Sequence, residues 1–93
     1  MLIEFDGRSY ELVFGNDVER DGVYLELSDV ADADPHVVLD AFCWEPDGRI
    51  TGSAYREDVP LEIVEWFIAE TRRRLAPPTG MPDPAPGTPP SRA

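Results

Sequence analysis

The sequence contains no lysine, one cysteine and one histidine, and each scarcity removes a class of mechanism. A single thiol makes no internal disulfide, which fits a reducing compartment. Without a second histidine or a cysteine pair there is no metal-ligand spacing and no serine-type triad, and the isolated glycines sit at turns rather than in a phosphate-binding loop. No segment approaches the ~18 consecutive apolar residues that cross a bilayer. The opening MLIEFDGRSYELVF lacks a basic leader region and a long apolar run, so no signal peptide is expected and the expected location is cytoplasmic.

What the sequence has in excess is acid. Asp and Glu number 19 against 8 basic residues, giving a formal net charge of -11 over 93 residues. Such a field repels nucleic acid and anionic lipid and draws in basic partners, so neither a nucleic acid nor a membrane is expected as a ligand. Every basic residue is Arg, a bias that fits a high-GC coding genome. Most of the ten prolines lie in APPTGMPDPAPGTPPSRA, residues 76–93, which has almost nothing apolar to bury and is predicted to be a disordered, partly polyproline-type tail. Asp83 and Arg92 cancel there, so the charge rests on residues 1–75, predicted to be one small α+β domain.

Period-two alternation predicts the strands. In IEFDGRSYELVF, Asp6-Gly7 supplies the positive φ values of a two-residue hairpin turn, and Ile3, Phe5, Tyr10, Leu12 and Phe14 share one face. GNDVERDG reads as a polar loop. VYLELS alternates again, with Val23, Leu25 and Leu27 on one side. A second hairpin joins HVVLDAFCWE to RITGSAY through a three-residue turn, Pro46-Asp47-Gly48, which sets Glu45 opposite Arg49. In that register Trp44, Phe42 and Asp40 oppose Ile50, Gly52 and Ala54, Phe42 lying over the bare Gly52, while Cys43, Ala41 and Leu39 oppose Thr51, Ser53 and Tyr55.

PLEIVEWFIAETRRRL, Pro60 to Leu75, has helical periodicity. Asp58 and Pro60 mark its start, Glu62 and Glu65 suit its positive end, and Arg72, Arg73 and Arg74 suit its last turn. At 100° per residue Leu61, Val64, Phe67, Ile68, Thr71 and Leu75 form the predicted core stripe, which leaves Trp66 pointing away from the core beside Glu62 and Glu70. The fold class is therefore a five-stranded antiparallel meander, two hairpins and a middle strand, covered on one face by a single C-terminal helix. The helix is expected on the face with Val38, Phe42, Trp44, Ile50, Gly52 and Ala54, whose small residues admit it. The opposite face, with Leu39, Ala41, Cys43 and Tyr55, is then left for a partner, or is closed by the N-terminal hairpin curling into a half-barrel. Over Ala41 to Leu75 the order of strands and helix resembles, in topology, single-stranded-DNA-binding modules of transcriptional coactivators. The basic strand residues of those modules are missing and the charge has the opposite sign, so no residue or activity carries across.

Candidates for chemistry are few. His36 and Cys43 lie an odd number of residues apart on one predicted strand, which sends them to opposite faces unless a bulge intervenes. Asp29, Asp32 and Asp34 with His36 are hard-ion ligand types, but they lack the glycine and closing glutamate of a calcium loop and read as a solvated acidic turn. Asp40 falls on the expected helix face, where a buried carboxylate needs a partner such as Arg56. The arginine run reads as a helix terminus.

No cofactor, metal or enzymatic activity is therefore expected. The leading expectation is an acidic protein-binding module, such as an inhibitor or immunity-type protein docking on a basic partner. Its anchor would be Trp66 with Ile63, ringed by Glu62, Glu65 and Glu70, and Leu39, Cys43 and Tyr55 of the open sheet face would be a further contact surface. Against that, the Trp66 ring could lie flat along the helix over Ile63. The alternative is a homodimeric accessory domain of a bacterial operon, joined through the open sheet face or the helix back.

Overall fold

A computed structural model of the chain describes residues 1–31, 33–75 and 90. The tail expected to be disordered, 76–93, lies outside the described residues except for Pro90, as does Asp32. The strands are β1 (Leu2–Phe5), β2 (Arg8–Asp17), β3 (Gly22–Asp29), β4 (His36–Trp44) and β5 (Ile50–Ala54), and the helix is α1 (Leu61–Leu75). All five strands form one antiparallel sheet in the order β1-β2-β3-β4-β5. The predicted meander followed by a helix is the architecture found.

The turns show why the chain folds back where it does. Asp6 and Gly7 have φ values of 52 and 78, the paired left-handed residues of a two-residue hairpin whose twist matches its strands. Ile3, Phe5, Tyr10 and Leu12 are buried on one side of that hairpin and join Leu25 and Leu27 of β3 in the core. Within β4 the register against β3 shifts between Leu27 and Ser28, and this bulge turns both Val38 and Leu39 inward, where both are buried.

The β4–β5 hairpin departs from the expected register. The Gly48 amide donates to the Trp44 carbonyl at 2.7 Å and the Trp44 amide to the Arg49 carbonyl at 2.9 Å, so the loop is Glu45-Pro46-Asp47-Gly48, one residue longer than expected, and ends in Gly48 at φ 71. Cys43 therefore faces Ile50, Ala41 faces Gly52 and Leu39 faces Ala54. A slip of one residue sends every side chain of a strand to the other face. Leu39, Ala41 and Cys43, expected on the open side, are buried beneath the helix, while Phe42 and Trp44 stand on the uncovered side. Phe42 lies over Gly22 of β3 instead of Gly52: a Cβ at Gly22 would sit 2.5 Å from its ring.

The helix starts at Leu61, and the Pro60 carbonyl accepts the first helical bonds from Ile63 and Val64 at 3.0 and 3.1 Å. Its rotation also corrects the expectation. Ile63, Trp66, Phe67, Glu70, Thr71 and Leu75 face inward, an arc turned by about 80° from the expected stripe. Trp66 is 7% exposed, whereas Leu61 and Ile68 are 66% and 47% exposed. The stripe was ambiguous because Ile63, Val64, Trp66, Phe67 and Ile68 make this helix apolar over most of its circumference. The indole, carrying roughly 200 Å² of apolar surface, supplies the larger burial, and Glu70 is drawn in because Arg73 and Arg74 neutralise it.

Candidate functional site

Two buried carboxylates organise the interior. Asp29 ends the alternation Val23, Leu25, Leu27 on the core face of β3 and is 0% exposed. Arg56 Nη1 donates to its Oδ2 at 2.6 Å and Arg8 Nε at 2.8 Å, while the Ala31 amide donates to Oδ1 at 3.0 Å. Burial alone would raise this carboxyl, but the Ala31 amide, Arg56 and Arg8 outweigh it and hold the pKa at about 2. Arg56 also approaches the Tyr10 hydroxyl at 3.4 Å, so this cluster ties the segment after β5 to β2 and β3. Glu70, 1% exposed, accepts from Arg74 Nε at 2.8 Å and Arg73 Nη2 at 3.2 Å. The arginines at the helix end are thus partly turned to the protein's own interior.

The uncovered face of the sheet has two zones. At one end Arg20 lies 4.1 Å above the Phe42 ring and 5.3 Å from Trp44, and Arg49 is 5.7 Å from Trp44. This is an aromatic and guanidinium stack. At the centre Glu26 and Asp40 are directly opposed across β3 and β4, with Glu11 and Glu4 on the same face of β2 and β1. Among the described residues no ion pair reaches Glu26 or Asp40; the Tyr55 hydroxyl donates to Asp40 Oδ2 at 2.6 Å. That hydrogen bond is the main reason the Tyr55 phenol is raised above its usual value.

The second uncovered region lies on the helix side. α1 packs across β3 and β4, and all five residues of β5 are exposed. Between them runs an apolar groove of about 480 Å³, with Ala41, Ile50, Gly52 and Ala54 on its floor and Val64, Phe67, Ile68 and Thr71 on its helical wall. Thr71 is 6% exposed and its hydroxyl has no hydrogen-bond partner among the described residues.

The structure redistributes the residues singled out from sequence. Trp66, Ile63 and Glu70 are buried, so they do not form the surface anchor expected of them; Glu62 and Glu65 remain exposed. Leu39 and Cys43 are buried while Tyr55 is exposed and bonds Asp40 on the opposite face, so these three do not share a surface. Asp40 is half-buried on the uncovered face, and its expected partner Arg56 belongs to Asp29. The β4 bulge does intervene between His36 and Cys43, yet along one strand they remain roughly 20 Å apart. His36 is exposed with its Nδ1 3.3 Å from the Asp34 carbonyl, and burial followed by the nearby Asp47 and Glu45 raises the Cys43 thiol, keeping it protonated. Two features escaped the sequence. Asp29 was legible in principle, since parity places it on the apolar face of VYLELSD. The β5 groove was not, because it depends on the hairpin register. No protein-family model, curated protein or solved structure matches the chain. No helix among the described residues is long and apolar enough to cross a membrane.

Proposed function

We propose that this chain is a small acidic protein-binding module that docks on a basic partner through the uncovered sheet face, acting by shape and field without making or breaking bonds, as an inhibitor or immunity-type protein does. The observation that carries this is the opposed pair Glu26 and Asp40. Like charges directly across a strand pair cost stability, and among the described residues no arginine forms an ion pair with either. Arg8 and Arg56 are held by Asp29, Arg73 and Arg74 by Glu70, and Arg20 and Arg49 by ring faces. Glu26 and Asp40 at the centre of this face are therefore not bonded to a guanidinium, while Arg20 and Arg49 keep their charge at its margin. A carboxylate centre with Tyr24 and Tyr55 beside it and Phe42 and Trp44 at its margin suits a partner presenting arginine or lysine. The protonated, buried Cys43 and its distance from His36 support a role without chemistry.

Affinity capture from native lysate tests this. A partner retained in low salt should be lost in high salt and lost with Glu26→Gln/Asp40→Asn, while Glu62→Gln/Glu65→Gln on the helix back retains it. Retention by the sheet-face variant in high salt would contradict the proposal.

A further inference from the structure

The ladder between β4 and β5 fixes which way each backbone group of β5 points. The Trp44 amide bonds the Arg49 carbonyl and the Tyr55 amide bonds the Val38 carbonyl, both at 2.9 Å. In an antiparallel pair the inward and outward residues alternate, so Arg49, Thr51, Ser53 and Tyr55 face β4. Ile50, Gly52 and Ala54 then direct their N–H and C=O groups to the outer edge of the sheet, where no strand follows among the described residues. Natural edges are usually guarded by charge, proline or a covering element. Here the run Ile50–Tyr55 carries no charge in a chain of net charge -11, and every residue of β5 is exposed. Beside it lie the unfilled groove, the partnerless Thr71 hydroxyl and the exposed aliphatic flank of Leu61 and Ile68.

We infer that β5 pairs antiparallel with β5 of a second copy about a two-fold axis at Gly52, joining two sheets into one and closing the α1–β5 groove. The occupant follows from the strand itself. Read against its own reverse, Ile-Thr-Gly-Ser-Ala sets glycine opposite glycine, the Thr51 hydroxyl opposite the second copy's Ser53, and Ile50 opposite its Ala54, with the three outward-facing residues bonded to one another. A two-fold interface demands such self-complementarity, residue i meeting j and j meeting i. Two strongly acidic chains can approach along this edge because Ile50–Tyr55 is uncharged and Arg49 and Arg72 border it, with Asp47 and Glu57 beyond the strand's ends, whereas the Glu26 and Asp40 face opposes approach. The exposed aliphatic residues Leu61 and Ile68 on that flank of the helix gain a cover in this pairing. This inference concerns the outer edge of β5 and the groove on the helix side, and it requires neither Glu26 nor Asp40.

Sedimentation velocity on the full chain over a range of concentrations tests the pairing. The expected species is twice 10.4 kDa. Gly52→Asp, whose Cβ would meet only the Asp40 carbonyl at an ordinary 3.4 Å, puts two carboxylates face to face and should weaken self-association roughly tenfold or more, with thermal unfolding reporting whether the monomer stays folded. Val18→Ser, at a remote exposed turn, should leave the dimer unchanged. Opposed residues of a hydrogen-bonded antiparallel pair have Cα atoms about 5.5 Å apart, within disulfide reach, so Gly52→Cys in a Cys43→Ser background should form a covalent dimer on oxidation. A monomer at every concentration, or a dimer indifferent to Gly52→Asp that fails to cross-link at position 52, overturns the inference. So does a monomer that instead takes up a foreign extended peptide along β5.

Discussion

The sheet has two edges, and they meet opposite fates. The inward residues of β1, Ile3 and Phe5, are buried in the same cluster as Ile63, Trp66 and Phe67 of the helix, and its outward face carries Glu4. The helix-side residues of β5, Ile50, Gly52 and Ala54, are exposed. A helix is about 10 Å across and covers roughly two strand spacings of ~4.8 Å, so one helix cannot roof five strands. What decides the bare flank is side-chain bulk. The helix would gain little from a floor of Ala41, Gly52 and Ala54, whereas the side with Phe5, Tyr10, Leu12, Leu25 and Leu27 offers far more apolar area to bury. The expectation that small residues would admit the helix had this balance reversed: bulk attracts it, and smallness leaves a groove.

Equivalent truncations at the two edges should therefore differ most. Phe5→Ala removes a side chain that is 2% exposed and should cost about 4 kcal/mol of stability, whereas Ile50→Ala should cost less than about 1 kcal/mol, both read by urea denaturation. Comparable losses would mean that β5 is covered in the monomer after all.

The link between the edges breaks next. Asp29→Asn leaves Arg56 and Arg8 facing a neutral side chain and should cost about 3 kcal/mol, loosening the segment that leads from β5 to the helix. The acid limb of the stability curve sharpens the point. Because the folded Asp29 pKa, about 2, lies below its ordinary 3.8, its contribution is complete above about pH 4 and is lost as pH falls through 2. That loss is about 2 kcal/mol in the native chain and absent in Asp29→Asn. Acid titration of both proteins should converge at low pH.

The smallest effect lies on the helix flank beside β5. Leu61→Ser and Ile68→Ser remove exposed aliphatic groups and should change monomer stability by no more than about 0.5 kcal/mol. Trp66→Ala, on the covered flank, should cost several kcal/mol.

Strand order, the Asp6-Gly7 turn and the helix bounds were all legible in the sequence because each rests on local chemistry: alternation, paired left-handed residues, and periodicity closed by a proline. The β4–β5 register was not, since Glu45-Pro46-Asp47-Gly48 supports a three- or a four-residue loop, and one residue turns Leu39 and Cys43 to the helix side while Tyr55 stays on the uncovered face. Nor was the helix rotation, because an arc from Trp66 round to Leu61 holds two acceptable stripes. The candidate site followed these two ambiguities. Its acidic character was plain from composition, while the face that carries it was fixed only when Phe42 and Asp40 turned outward together.

Everything that leaves β5 bare depends on which stripe the helix turns inward, and a single indole reports it. In Trp44→Phe the remaining tryptophan is Trp66, buried at 7% exposure. Its emission should lie well to the blue of a water-exposed indole, with iodide and acrylamide quenching suppressed until denaturant unfolds the chain. Emission at the wavelength of free tryptophan, quenched freely in native buffer, would show Leu61 and Ile68 to be the covered stripe and would contradict the arrangement of both edges.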